Sequence, residues 1–163
     1  MLTLISSLAQ AHLRADGFDF TPCYEGAEWR IPAPPQGAFM SRDRNVLGEP
    51  LTPCCHAPKT GFYRDGFCRV GPDDVGIHSV CAMVTEEFLA FSKAQGNDLV
   101  TPRPEYGFPG LTPGDRWCLC AHRWNEAAQV GLAPPAILSG TNERTLEIIP
   151  LIKLQQHALD AVH

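Results

Sequence analysis

The chain has no run of lysine or arginine, and its 13 basic against 18 acidic residues leave a net charge of −5. Binding to a phosphate backbone needs a basic stripe that releases counterions, so nucleic acid is not expected as a standing partner. No stretch approaches the roughly 20 apolar residues that cross a bilayer, so no membrane association is expected. The start, Met1-Leu-Thr-Leu-Ile-Ser-Ser-Leu-Ala-Gln-Ala11, lacks a basic leading region and has a short apolar core, so it does not read as a signal peptide. A phosphate-binding loop, a dinucleotide glycine motif and a Gly-x-Ser-x-Gly elbow are all missing. The 7 cysteines are odd in number and show neither a disulfide-framework spacing nor a zinc knuckle. That pattern fits reduced thiols and a cytoplasmic protein.

Proline and glycine, by contrast, are plentiful, at 15 and 14 of 163 residues. They imply much irregular backbone inside a chain long enough for one domain with a real core. Met1 to about Leu13 reads as a short amphipathic helix, and Gly17 to Arg44 then loses all periodicity around Ile31-Pro-Ala-Pro-Pro-Gln-Gly37. Residues 1–44 are therefore expected to be an extension or arm, carried against the main domain by its aromatics, and residues 45–163 a single domain.

Within that domain, Ile77 to Val84 is rich in β-branched residues and reads as a strand. Thr85 is a good cap for a helix over Glu86 to Gln95, with Gly96 past its end. A long Pro/Gly loop from Asn97 to Asp115 follows, then a strand Arg116 to about His122 and a helix Arg123 to Val130. Cys81-Ala82-x4-Glu87 and Cys120-Ala121-x4-Glu126 form a weak internal echo. Ala136–Ser139 and Thr145–Ile149 read as a hairpin about Thr141-Asn-Glu-Arg144, and Pro150 opens a closing helix. Two strand–helix units, a C-terminal hairpin and a last helix predict a layered α+β domain, with α/β as the alternative.

Several stretches resemble the signature of a small family of uncharacterised bacterial proteins, defined as a domain of unknown function. They include Asn-Val-Leu-Gly48, Pro53-Cys-Cys55, Gly61-Phe-Tyr-Arg-Asp-Gly66, Gly71-Pro-Asp-Asp-Val-Gly76, Phe108-Pro-Gly-Leu111 and Pro113-Gly-Asp-Arg-Trp-Cys-Leu-Cys-Ala121. The likeness covers about Asn45 to Ala158 and implies a shared fold with no assigned activity. The family pattern commonly has His where this chain has Asn142, which implies that this chain lacks any step such a His serves.

Strand alternation places Arg116, Cys118, Cys120 and His122 on the face opposite Trp117, Leu119 and Ala121. Three readings follow. In the first, a thiophilic metal such as zinc is held by Cys118 and Cys120, joined by Cys81 or the Cys54/Cys55 turn. In the second, Cys120 or Cys118 is a reactive residue, because Cys120 precedes a helix N-terminus that favours thiolate. In the third, the chain is a binding module. Arg64, Asp65, Asp98, Arg103, Asp115 and Arg116 then surround a small-molecule cleft, with the thiols at its floor. Set against these, buried cysteines often only fill space, and Arg/Asp pairs in long loops often brace backbone.

Overall fold

A computed structural model describes residues 43–160. The helix expected over Met1–Leu13 and nearly all of the expected arm lie outside the described residues. Two strands, β1 (Val80–Met83) and β2 (Arg116–Leu119), pair antiparallel with Cys81 opposite Cys118 and Ala82 opposite Trp117. This antiparallel pair and the three helices make the domain α+β. Each strand runs directly into a helix: α1 (Glu86–Ala94) after β1 and α2 (Ala121–Gln129) after β2.

Local chemistry explains these boundaries. The Thr85 hydroxyl accepts the Phe88 N–H at 3.2 Å and starts α1, while Glu86 and Glu87 sit favourably at its positive end. Strand β2 stops at Leu119, earlier than expected, because the Ala121 N–H turns to the Ile77 carbonyl at 3.0 Å and Cys120 becomes the α2 cap residue. The echo between the two units has no structural counterpart. Glu87 is the second residue of α1, whereas Glu126 is the sixth of α2.

One sheet face carries Val80, Ala82, Trp117 and Leu119 into the main core with Phe88 and Trp124. Burial of such large side chains is worth about 1.5–3 kcal/mol each. The buried Trp124 indole N–H is satisfied by the Pro134 carbonyl at 2.9 Å. The other face carries Cys81 and Cys118 into a second, sulfur-rich cluster with Cys54, Cys68 and Ile137.

The expected C-terminal hairpin is not formed. Leu138–Gly140 and Glu143–Glu147 are instead short 3₁₀ turns, followed by α3 (Leu151–Gln156). The Thr141 hydroxyl donates to the Ile137 carbonyl at 2.7 Å, and the Asn142 side chain accepts the Arg144 N–H at 3.0 Å. These local side-chain bonds satisfy backbone groups that a hairpin ladder would have used. Asn142 itself is buried in this capping role. No helix of the described residues is long and apolar enough to cross a membrane.

Candidate functional site

A cleft of about 360 Å³ opens between the 61–78 loop and the 97–108 loop, lined in part by Phe62, Arg64, His78, Asp98, Arg103 and Cys118. A smaller hollow of about 240 Å³ shares His78 and Cys118 and adds Cys120 and Arg123. Three of the charged residues singled out from the sequence, Arg64, Asp98 and Arg103, thus meet at one cleft that also reaches Cys118.

The other three stand elsewhere. Asp65 forms an ion pair with the Arg69 guanidinium at 2.8 Å and accepts the Phe67 N–H at 3.0 Å. Asp115 accepts the Thr112 N–H at 2.8 Å and its hydroxyl at 3.1 Å. Arg116, on β2 opposite Met83, is half-buried and has a partner of its own. None of the three lines the cleft; Asp65 and Asp115 brace loop backbone.

Arg64 sits in the left-handed region (φ 54°), with its guanidinium on the Gly61 carbonyl at 2.8 Å and 5.0 Å above the Trp117 ring. This cation–π contact turns the positive charge towards the strand that carries Cys118. The Arg103 guanidinium has no ion pair or hydrogen bond among the described residues. Asp98 differs: it accepts the Thr101 N–H and hydroxyl and the Val100 N–H, and Lys93 stands 3.4 Å away. The Thr101 amide first, then its hydroxyl and the Val100 amide, hold this carboxyl well below the usual carboxylate range. Asp98 therefore stays ionised, with its oxygens turned to donors of its own loop and Lys93 beside it, while Arg64 and Arg103 are the cations that line the cleft.

His78 and Asp74 stand four residues apart in the loop that leads into β1. The structure joins them. Asp74 is buried, and its Oδ1 lies 2.6 Å from His78 Nδ1, while its Oδ2 accepts the His78 N–H at 2.8 Å. A carboxylate in this position selects the Nδ1–H tautomer and leaves Nε2 as the basic atom. The ring also stacks on Phe62 at 5.9 Å, and a Cβ on Gly76 would lie 2.7 Å from its Cε1, so only glycine admits it there. The legible signal was the Asp-x3-His spacing inside a Gly/Pro loop.

The cysteines correct the sequence reading most. Cys54 bonds Cys81, and Cys68 bonds Cys118, so these four are disulfides and not reduced thiols. Cross-strand pairing brings Cys81 beside Cys118, and each is then joined to the loop segment that carries Cys54 and Cys68. The inference of a cytoplasmic protein from reduced thiols loses its basis. Cys118, being bonded, is no free nucleophile. Neither Cys55, which is buried, nor Cys120, which is half-buried, belongs to either disulfide. The Sγ atoms of Cys54, Cys68 and Cys118 all lie within 4.8 Å of one another. Cys68, missing from the expected metal ligands, belongs to this group. Of the expected ligands, Cys55, Cys81 and Cys120 lie outside it. Cys23 lies outside the described residues.

No curated protein matches the chain. The model of one family, described as an uncharacterised protein conserved in bacteria, matches residues 44–158. That span contains β1, β2, the cleft and all four bonded cysteines, and the chain belongs to this family, domain of unknown function 2237.

Proposed function

We propose that this chain is a small-molecule-binding protein whose cleft takes an anionic ligand, a carboxylate or phosphate, between Arg64 and Arg103, with His78 exchanging a proton with it. The observation that carries this reading is the His78–Asp74 pair at 2.6 Å in the wall of a cleft that also bears two guanidiniums. Guanidiniums match the planar, multi-oxygen acceptors of carboxylate and phosphate. An imidazole oriented by a buried carboxylate is suited to general acid–base work near neutral pH. Whether the ligand is turned over depends on that proton transfer, and the binding half of the proposal stands without it. A thiol-dependent enzyme is the weaker alternative, because it now rests on Cys120 alone.

A panel of small mono- and dicarboxylates and phosphate monoesters, screened by thermal melting, tests the proposal. A ligand at about 100 times its Kd stabilises the native state by about 2.7 kcal/mol. At least one member should raise the melting temperature of the wild-type chain, and Arg103→Gln should abolish the shift while leaving the unliganded melt in place. His78→Gln should keep the shift, because both guanidiniums that hold the anion remain. A panel with no shift, or a shift untouched by Arg103→Gln, would sink the reading.

A further inference from the structure

We propose that Cys54, Cys68, Cys81 and Cys118, when reduced, bind one zinc ion as a closed tetrathiolate site, and that the two disulfides are the oxidised, metal-free form of the same site. The inference is independent of the anion cleft. Three of the four sulfurs already lie within 4.8 Å of one another, and the fourth, on Cys81, is bonded to Cys54. A tetrahedron with Zn–S of about 2.3 Å has edges of about 3.8 Å. Each bonded pair has to open to that distance, and the Cys81 sulfur, which lies outside the 4.8 Å group, has to turn towards Cys68 and Cys118 as it leaves Cys54.

The scaffold around the sulfurs is held by strand pairing and hydrogen bonds as well as by the S–S bonds. Cys81 and Cys118 occupy facing positions of β1 and β2. The Cys54 and Cys55 N–H groups both donate to the Gly66 carbonyl at 2.8 and 3.3 Å, and the Gly66 N–H donates to the Thr60 carbonyl at 2.9 Å. The Cys118 N–H donates in turn to the Thr60 hydroxyl at 2.8 Å, which ties that loop to the strand pair. After reduction these bonds keep the four side chains near one another, and the ion replaces the cross-links that the sulfurs lose.

Burial fits a closed structural site. All four cysteines are at most 2 % exposed, and Ile137 and Leu159 pack on them. Gly140 passes directly over the group, since a Cβ there would lie 3.2 Å from Cys81 Sγ. No open coordination position for water remains, and a soft, four-coordinate ion without redox chemistry is the species such a site selects.

The chemistry balances. Two equivalents of a dithiol reductant supply four electrons and four protons to the two disulfides, each becoming a disulfide itself, and leave four thiols. Zinc then displaces the four thiol protons to solvent as the Zn–S bonds form. In reverse, two equivalents of a small disulfide oxidant take two electrons each from the thiolates and become thiolates themselves, two S–S bonds re-form, and the zinc ion leaves.

The test uses the full chain, reduced with a phosphine, desalted without oxygen and titrated with cobalt(II) and then zinc. Cobalt should give the thiolate charge-transfer and visible d–d bands of a tetrahedral sulfur site, saturating at one ion per chain, and zinc should bleach them. Alkylation with peptide mapping should then show Cys54, Cys68, Cys81 and Cys118 protected by zinc while Cys120 still reacts. Adding oxidised glutathione should release zinc to a chromogenic chelator. Cys68→Ser should lose stoichiometric zinc and Cys120→Ser should keep it; if Cys68→Ser does not fold, the wild-type protection map decides. Cobalt that stays hexa-aqua-like, protection of a different cysteine set, or zinc retained after both disulfides form would each overturn the proposal.

Discussion

Arg64 and Ile77 are the two described residues other than glycine that hold a positive φ, at 54° and 49°. Arg64 lines the cleft as one of its two guanidiniums, and Ile77 directly precedes the cleft residue His78. A left-handed backbone costs a residue with a side chain about 1–2 kcal/mol, and such strain gathers where a site needs it. Arg64→Gly removes the strain and the side chain together, whereas Arg64→Ala removes the side chain and keeps the strain. The glycine variant should therefore be the more stable of the two by about 1 kcal/mol, the reverse of their order in regular structure. Urea denaturation midpoints of the two variants read this directly, and an alanine variant equal to or above the glycine one would contradict it. Neither variant should keep an anion-induced melting shift. Arg64 was legible as a candidate because it is a cation in a Gly-rich loop. Its backbone was not, because nothing local in Phe-Tyr-Arg-Asp forces a positive φ; the Arg64 N–H on the Gly61 carbonyl at 3.0 Å closes that turn.

Elements with their own caps were legible, and elements whose partners lie far along the chain were not. Helix α1 appears where Thr85, two glutamates and Gly96 place it, since capping is chemistry between near neighbours. The 136–149 segment reads as a hairpin because Ala136-Ile-Leu-Ser is an apolar run. Yet the Leu138 and Ser139 N–H groups go to the Asp160 carboxylate at 2.7 and 3.0 Å, a partner invisible to local pattern. The 97–108 loop shows the opposite case, an irregular element held by one of its own side chains. Asp98 has a carboxyl pKa lowered on folding, chiefly by the Thr101 amide. A lowered folded value makes its contribution complete above the unfolded value of about 3.9, and lost as pH falls below that towards the folded one. Thermal melts of the wild-type chain should accordingly lose this support only below about pH 4, and Asp98→Asn should show a shallower acid decline there. Parallel acid slopes for the two proteins would mean that Asp98 does not hold the loop in solution.

At the scale of the whole molecule, the sulfur pairs do what secondary structure alone does too little of in this chain. Two four-residue strands and three helices of at most nine residues leave most of residues 43–160 irregular. Irregular backbone loses much conformational entropy on folding for few ladder hydrogen bonds. The bonds between Cys54 and Cys81 and between Cys68 and Cys118 close loops of 27 and 50 residues. On loop-closure entropy these are worth roughly 3.5 and 4 kcal/mol against the unfolded chain. The two loops overlap between 68 and 81, so their joint effect is smaller than the sum. It is still comparable with the whole stability of an ordinary domain, about 5–15 kcal/mol. The pairing was not legible because it joins loop cysteines to facing strand positions, a relation set by β1–β2 register and not by spacing along the chain. Reduction by a phosphine in the presence of a chelator should therefore lower the urea midpoint strongly, by a few kcal/mol in unfolding free energy, with the loss reversed on reoxidation. The measurement is a pair of urea titrations, oxidised against reduced, followed by fluorescence of Trp117 and Trp124. Coincident curves, with mass spectrometry confirming four added thiols, would show that hydrogen bonds such as Thr60 to Cys118 hold the two halves together without the sulfur.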